Sequence, residues 1–369
     1  MQDVEAVVAE VGRLAAAWDG EEGCEAFPRS RLEQARLAGV LRRFVAVAPG
    51  AETDALLDCL RLVGGADLSL GRIVEGHVNA TQLVHAYGGD GQRATLRSDL
   101  SAGRTFGVWA AGEPGVRMER RDGGWWLEGL KTFASGAGEI DRALVPAGIE
   151  GGGRRLVLVD VGAEPGRADA SGWRVRGMKG TVSGVYDFSG LVVTDAALIG
   201  APGDYEREPR FSAGAWRFCA VQLGAAEALV RRLRDAVRAG RGDDPVGRAR
   251  FAGALVAVRS AGMWVRRAAQ AAESEAAGAE AAGAEVAGAG GEDAVALTLM
   301  TRGVVEEAGL LAMEAAARGI GTASFHAGRV DRITRDLGLY LRQPAPDAAR
   351  DRAASLWIER DRWGGERWW

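Results

Sequence analysis

Residues 124–138 read GWWLEGLKTFASGAG. Bulky apolar and polar residues alternate through Trp125, Leu127 and Lys131, which predicts a β-strand. The preceding RRDGGWW carries Asp122-Gly123, a hairpin turn signal. The strand ends in an aromatic, Phe133, then a hydroxyl, Ser135, then Gly136, Ala137 and Gly138. Small residues after a strand mark a tight turn, or room for something flat to lie against the backbone. On this stretch alone the tight turn is the reading to take.

The period of two extends outward. TFGVWAAG, VRMER, RALVPAG, RLVLVDV, WRVRG and GVYDFSGLVVT are short, rich in β-formers and separated by Gly, Asp or Pro. They predict an antiparallel β domain over 104–203 rather than βαβ units. Before it, residues 1–103 read as helices. Val4, Val7, Val8, Val11 and Leu14 recur at helical spacing, FPRSRLEQARLAGV opens with a proline and a serine cap, and Thr53 can cap the next helix. LSLGRIVEGHVNATQLVHAYGG is a longer helix stopped by Gly88 and Gly89. Its core face gathers Leu70, Ile73, Val74, His77, Thr81 and Val84. After 203 the helices lengthen into a bundle of four, over 204–369. The predicted fold is α+β multidomain: an N-terminal helical domain, a central antiparallel β domain and a C-terminal four-helix bundle. EAAGAEAAGAEVAGAGG, within the Ala/Gly repeat 276–291, reads as a helix extension or surface loop.

Composition narrows the function. Over 369 residues the net charge is -4, which argues against nucleic acid as the main partner. No segment has the ~18 uninterrupted apolar residues of a membrane span. The N-terminus is acidic and amphipathic, unlike a signal peptide. Cys24, Cys59 and Cys219 are odd in number, far apart and without zinc spacing, so reduced thiols in a cytoplasm and no metal are expected. Of 46 basic residues only Lys131 and Lys179 are lysine, so single arginines carry little information.

The order helices, β domain, bundle, together with GWWLEGLKTFASGAGEIDRALV, resembles the acyl-CoA dehydrogenase superfamily of flavoproteins. Gly124, Gly129, Lys131, Phe133, Ala134 and Ser135 match that family's strand running into an aromatic, a small residue and a hydroxyl. VRGMKGTVSGVYDFSGLVV is similar to its second signature, through Gly177, Gly180, Ser183, Val185 to Phe188, and Val192. RFCAVQLGAAEALV, ARGIGTASF and RVDRITRDL resemble its bundle segments. The resemblance implies FAD, with Phe133 against the isoalloxazine ring, Ser135 near its reactive nitrogen and Trp109 lining the same ring from the adjacent strand. It also implies that Gly319 and Gly321 let the backbone approach the dinucleotide from a neighbouring subunit of a homodimer or homotetramer, with Arg318 near a phosphate.

The pattern breaks where that family places its catalytic glutamate. One site holds Pro344; the other, just before Arg217, holds Trp216. The acidic loop keeps Glu113 and Pro114 but loses its serine and aspartate, and Arg248 and Phe251 stand in shifted positions. Three readings follow. An FAD oxidoreductase acts on an acyl (CoA) thioester or related small substrate, with Arg217 in the site and Asp347 or Glu113 standing in as base. A flavin monooxygenase of the same fold uses His77 for proton transfer. A scaffold has kept the shape and lost the chemistry, with Trp357, Trp363, Trp368 and Trp369 packing on the bundle or at a subunit contact.

Overall fold

The computed structural model describes residues 3–19, 25–112, 115–240, 244–282, 289–342 and 345–360. They divide into two compact units: Met1–Val47 with Leu62–Arg207, and Ala48–Arg61 with Glu208–Trp369.

The first unit opens with α1 (Val4–Asp19), α2 (Arg29–Leu37) and α3 (Val40–Arg43). The long helix α4 (Ala51–Ala66) divides between the units; α5 (Leu68–Tyr87) and α6 (Asp90–Ser101) belong to the first. Pro28, not a serine, precedes α2, and no side chain caps it. Thr53 lies inside the first turn of α4 and donates back to the Ala48 carbonyl at 2.9 Å. The cap that sequence reading missed is Asp67, which accepts from the Leu70 amide at 3.1 Å and starts α5.

Among the described residues nine strands follow: β1 (Phe106–Val108), β2 (Val116–Arg121), β3 (Gly124–Ala134), β4 (Arg142–Gly148), β5 (Arg154–Asp160), β6 (Ala168–Asp169), β7 (Gly184–Asp187), β8 (Val192–Val193) and β9 (Leu198–Ile199). Their order is β6-β7-β3-β2-β4-β5-β9, with β1 also on β4 and β8 also on β3. The sheet is mostly antiparallel as expected, but β4 takes both β1 and β2 in parallel. Strand β4 is buried on both faces. Ala143, Val145 and Ala147 join the sheet core with Leu127, Val157, Tyr186 and Phe188. Leu144, pointing the other way, packs with Phe106 and Leu156 among Val84, Leu96 and Leu100 of α5 and α6. Helices α5 and α6 therefore bury apolar residues on the sheet.

The second unit holds α7 (Arg210–Ala213), α8 (Trp216–Ala239), α9 (Pro245–Ala282), α10 (Ala289–Ile320), α11 (Arg329–Tyr340) and α12 (Pro346–Arg360). Helix α10 packs on α8, α9 and α12, and α11 packs on α8. The last helix, α12, was not expected: proline in its first turn is a helix start that the apparent tail concealed. It seats Trp357 against Trp264, ring centroids 6.1 Å apart, with its indole N–H on the Ala296 carbonyl at 3.1 Å. Trp363, Trp368 and Trp369 lie outside the described residues, as do Cys24, residues 283–288 of the Ala/Gly repeat, Glu113 and Pro344. Among the described residues no helix is long and apolar enough to cross a membrane.

Candidate functional site

Strand β3 pairs first with β2 and β8, then with β7, and its ladder slips between Lys131 and Ala134. At the slip Phe133 takes a left-handed backbone conformation, φ 52°. For an aromatic residue this costs on the order of 1–2 kcal/mol. The conformation leaves Phe133 64% exposed, its neighbour Trp173 standing edge-on at 6.3 Å. A large apolar side chain held in a strained conformation and facing outward gains nothing for the core. Such strain gathers at ligand sites. The small residues after it do form a tight turn, with the Ala137 amide on the Ala134 carbonyl at 3.0 Å and the Glu139 amide on Gly136 at 2.9 Å.

Ser135, half-buried beside Phe133, starts a chain of hydroxyls. Its Oγ lies 2.9 Å from Ser183 Oγ, which lies 2.8 Å from Thr181 Oγ1, which donates to the Met178 carbonyl at 2.8 Å. Ser183 and Thr181 belong to a turn in which Met178 and Val182 are both left-handed, φ 56° and 45°. The Gly136 amide donates to the Thr181 carbonyl at 2.7 Å and joins this turn to the end of β3. Sequence reading used Ser183 only as part of a pattern and passed over Thr181. Two hydroxyls between glycines, in GTVSG, were the available signal.

The other expected residues fall elsewhere. Trp109 is only 2% exposed and packs against the touching rings of Tyr186, at 5.4 Å, and Phe188, at 6.3 Å. It offers no face to a ligand. Its indole N–H instead holds the Ser135 carbonyl at 3.0 Å, from behind the site. His77 is fully buried on α5. The Phe106 amide donates to its Nδ1 at 3.0 Å, and Nε2 donates to the Leu41 carbonyl at 2.7 Å. An amide can only donate and a carbonyl only accept, so the ring is neutral with its proton on Nε2. Burial pushes its pKa down to about 4, partly opposed by the Leu41 bond. Both nitrogens are committed to backbone partners, which gives His77 a structural task in place of proton transfer.

In the second unit, Arg217 is also structural. It is buried and donates to Glu273 Oε1 at 2.7 Å and to the Gly214 carbonyl at 3.3 Å. Trp216, fully buried, donates its indole N–H to the same Glu273 oxygen at 3.0 Å. Glu273 is a carboxylate that sequence reading missed. It shares the buried face of α9 with Ala269, Ala272 and Ala276, and that position foretold a partnered charge. Arg318 is solvent-facing and ion-paired with Glu314 one turn earlier. A Cβ on Gly319 would overlap the Leu233 side chain, so this glycine serves the close packing of α10 on α8. Gly321, φ 74°, turns the chain out of α10. Asp347 is exposed in the first turn of α12. The structure thus brings Phe133 and Ser135 together in the first unit with Trp109 behind them, while Arg217, Arg318, Gly319 and Gly321 belong to the second.

No family model matches the chain. It is 26% identical to dibenzothiophene monooxygenase from Rhodococcus erythropolis over 209 residues, 51% of this chain and 50% of that protein. The chain thus matches curated relatives over about half their length. Among solved structures it is similar to FMN-bound dibenzothiophene monooxygenase from Paenibacillus sp. A11-2, with a TM-score of 0.81 and 17% identity over 96% of both chains. It is also similar to a Streptomyces protein, XiaF, solved with FADH2 and glycerol, with a TM-score of 0.72 and 17% identity over 97% of this chain and 95% of that one. At these identities the likeness establishes the fold, and the expected α+β class is the one these structures share.

Proposed function

We propose that this chain is a flavin-dependent monooxygenase, a divergent branch of the acyl-CoA dehydrogenase fold turned from thioester oxidation to oxygen insertion. The observation that carries the reading is the end of β3, where the exposed Phe133 ring stands beside the Ser135 hydroxyl. An apolar slab with one placed polar group at its edge fits a flat tricyclic ring. Phe133 would pack on the flavin, Ser135 would meet its redox edge, and Trp109 would hold Ser135 from behind. FMN and FADH2 in the two structural neighbours support a flavin here. FAD, the form the sequence resemblance implies, is one of two candidates beside FMN. When bound and reduced, a flavin supplies two electrons to dioxygen, so that one oxygen atom enters the substrate and the other leaves as water.

Oxygenation is favoured over dehydrogenation for two reasons. The curated relatives act as monooxygenases. One of the two usual glutamate positions is a buried tryptophan, and the carboxylate it touches, Glu273, is locked to Arg217. That leaves no base of the usual kind at this position. The substrate class proposed is a small aromatic heterocycle or organosulfur compound, by analogy with dibenzothiophene.

Chemically reduced FMN, supplied with air and a panel of thiophenes, sulfides and indoles, is expected to yield a product heavier by one oxygen that takes its label from ¹⁸O₂. Bleaching of bound flavin by an acyl-CoA thioester under anaerobic conditions, with no labelled product from any panel member, would overturn the proposal. A further outcome concerns Phe133. Phe133→Gly relieves the left-handed backbone and is expected to raise stability by about 1 kcal/mol in denaturant titrations. The same change should weaken reduced-FMN binding by roughly 10-fold or more through loss of the apolar face. A stabilised variant that binds FMN as well as wild type would show that Phe133 is not at the ligand.

A further inference from the structure

The three hydroxyls beside Phe133 can share out their protons in only one way. The Met178 carbonyl oxygen can only accept, so Thr181 spends its single proton there. The 2.8 Å contact between Thr181 and Ser183 must then be a donation by Ser183. Ser183 has no second proton, so the 2.9 Å contact with Ser135 is a donation by Ser135. Ser135 therefore turns its proton inward and presents only lone pairs at its open edge.

The chain is anchored against rearrangement. Thr181 and Ser183 are both buried. The Met178 carbonyl that sets the direction also receives the Trp173 indole N–H at 3.1 Å and the Thr181 amide at 3.1 Å. Trp109 fixes the Ser135 carbonyl at the other end. The hydroxyl directions are thus dictated by a backbone carbonyl that no ligand needs to touch.

From this polarity we infer that Thr181 and Ser183 are positioning residues that set which redox form of the flavin the site accepts. The inference rests on the function proposed above. A reduced flavin carries a proton on N5 and needs an acceptor there. An oxidised flavin has a bare lone pair at the same atom and needs a donor. Ser135, its proton held inward, can only accept. It matches the reduced form and sets lone pair against lone pair with the oxidised one. Discrimination is asymmetric in such a site, because a polar group facing the wrong partner costs more than a matched one contributes.

Anaerobic titration of the full-length protein with reduced and with oxidised FMN gives the ratio of the two dissociation constants. The wild-type ratio is expected to favour reduced FMN by about 10-fold or more, the worth of one hydrogen bond to a polar ligand atom. Thr181→Val keeps the shape but removes the acceptor of the Ser183 proton. Ser183 then donates to Ser135, whose own proton swings outward. The ratio is expected to fall by at least about 10-fold, with oxidised FMN binding more tightly than in wild type. Thr181→Ser restores the hydroxyl and should restore the ratio. A merely structural role would weaken both redox forms alike and leave the ratio unchanged. Ser183→Ala, which frees the Ser135 proton without reversing it, provides a second variant. The midpoint potential of its bound FMN should drop by up to about 30 mV, the equivalent of a tenfold change for a two-electron couple. A ratio within twofold of wild type in Thr181→Val, together with an unmoved potential in Ser183→Ala, overturns the inference and leaves the proposed function standing. Failure of wild type to bind either redox form of FMN or of FAD overturns both.

Discussion

His77→Ala is expected to lower the opening free energy around β1 by about 3–5 kcal/mol, and to speed hydrogen exchange at the Phe106 amide by roughly two to four orders of magnitude. The size follows from what the ring holds. It joins Leu41 of α3 to Phe106 of β1 through α5, and its loss strands one buried carbonyl and one buried amide in a cavity. The charge state makes a second, sharper test. The folded pKa of about 4 lies below the ordinary 6.5, so the unfolded chain takes up the proton first as pH falls. Stability from neutral His77 is complete above pH 6.5 and is lost as pH drops through that window toward 4, reaching about 3 kcal/mol. His77→Gln cannot titrate, so its stability should fall less steeply than wild type by about 2 kcal/mol between pH 6.5 and 5. Parallel curves for the two proteins over that range would mean that His77 titrates normally and is not sealed by its two partners. Parallel curves would also restore it as a candidate for proton transfer.

His77 also marks the limit of what the sequence reveals. Its place on the apolar face of α5 was legible, because helical spacing is a local property. Its partners were not, since Leu41 and Phe106 lie 36 and 29 residues away and bond its ring nitrogens through backbone atoms, which carry no residue signature. The same holds for Arg217, whose fate was decided by Glu273, 56 residues on. The resemblance sets Trp109 at the flavin ring, but its side chain is buried against Tyr186 and Phe188. Alternation says that neighbouring residues face opposite ways, yet it does not say which face is covered. The parallel pairing of β4 with β1 and β2 was hidden for a related reason: a strand's pattern records burial, not the direction of its neighbour. That Phe133 and Ser135 are neighbours at a strand end is legible in the sequence. What their sequence could not carry was the left-handed turn that exposes the ring, or the hydrogen-bond direction imposed through Ser183 by a carbonyl at Met178.

Gly129→Ala is expected to cost at least about 3 kcal/mol and to loosen the whole end of β3. Gly129 is where the strand changes partners. Residues up to it pair with β2, through Val116 opposite Gly129, and Leu130 onward pairs with β7. The change of direction is made at φ 113°, a value L-residues rarely adopt. There is also no room, because an added Cβ would overlap the Gly115 carbonyl oxygen, a backbone atom of the neighbouring chain segment. Neither problem can be relieved by a side-chain rotation. Gly123, at the β2–β3 turn, separates the two causes. It has a similar φ of 92° but open space where a Cβ would stand. Gly123→Ala should therefore cost only about 1 kcal/mol, the backbone penalty alone. The excess at Gly129 then measures the steric conflict. Because Phe133 and Ser135 follow within three repeats of the pleat, the same variant should also weaken FMN binding while Gly123→Ala leaves it intact. Equal losses of stability at the two positions, in parallel denaturant titrations, would show that β3 bends freely and that the Phe133–Ser135 end does not depend on the pivot at Gly129.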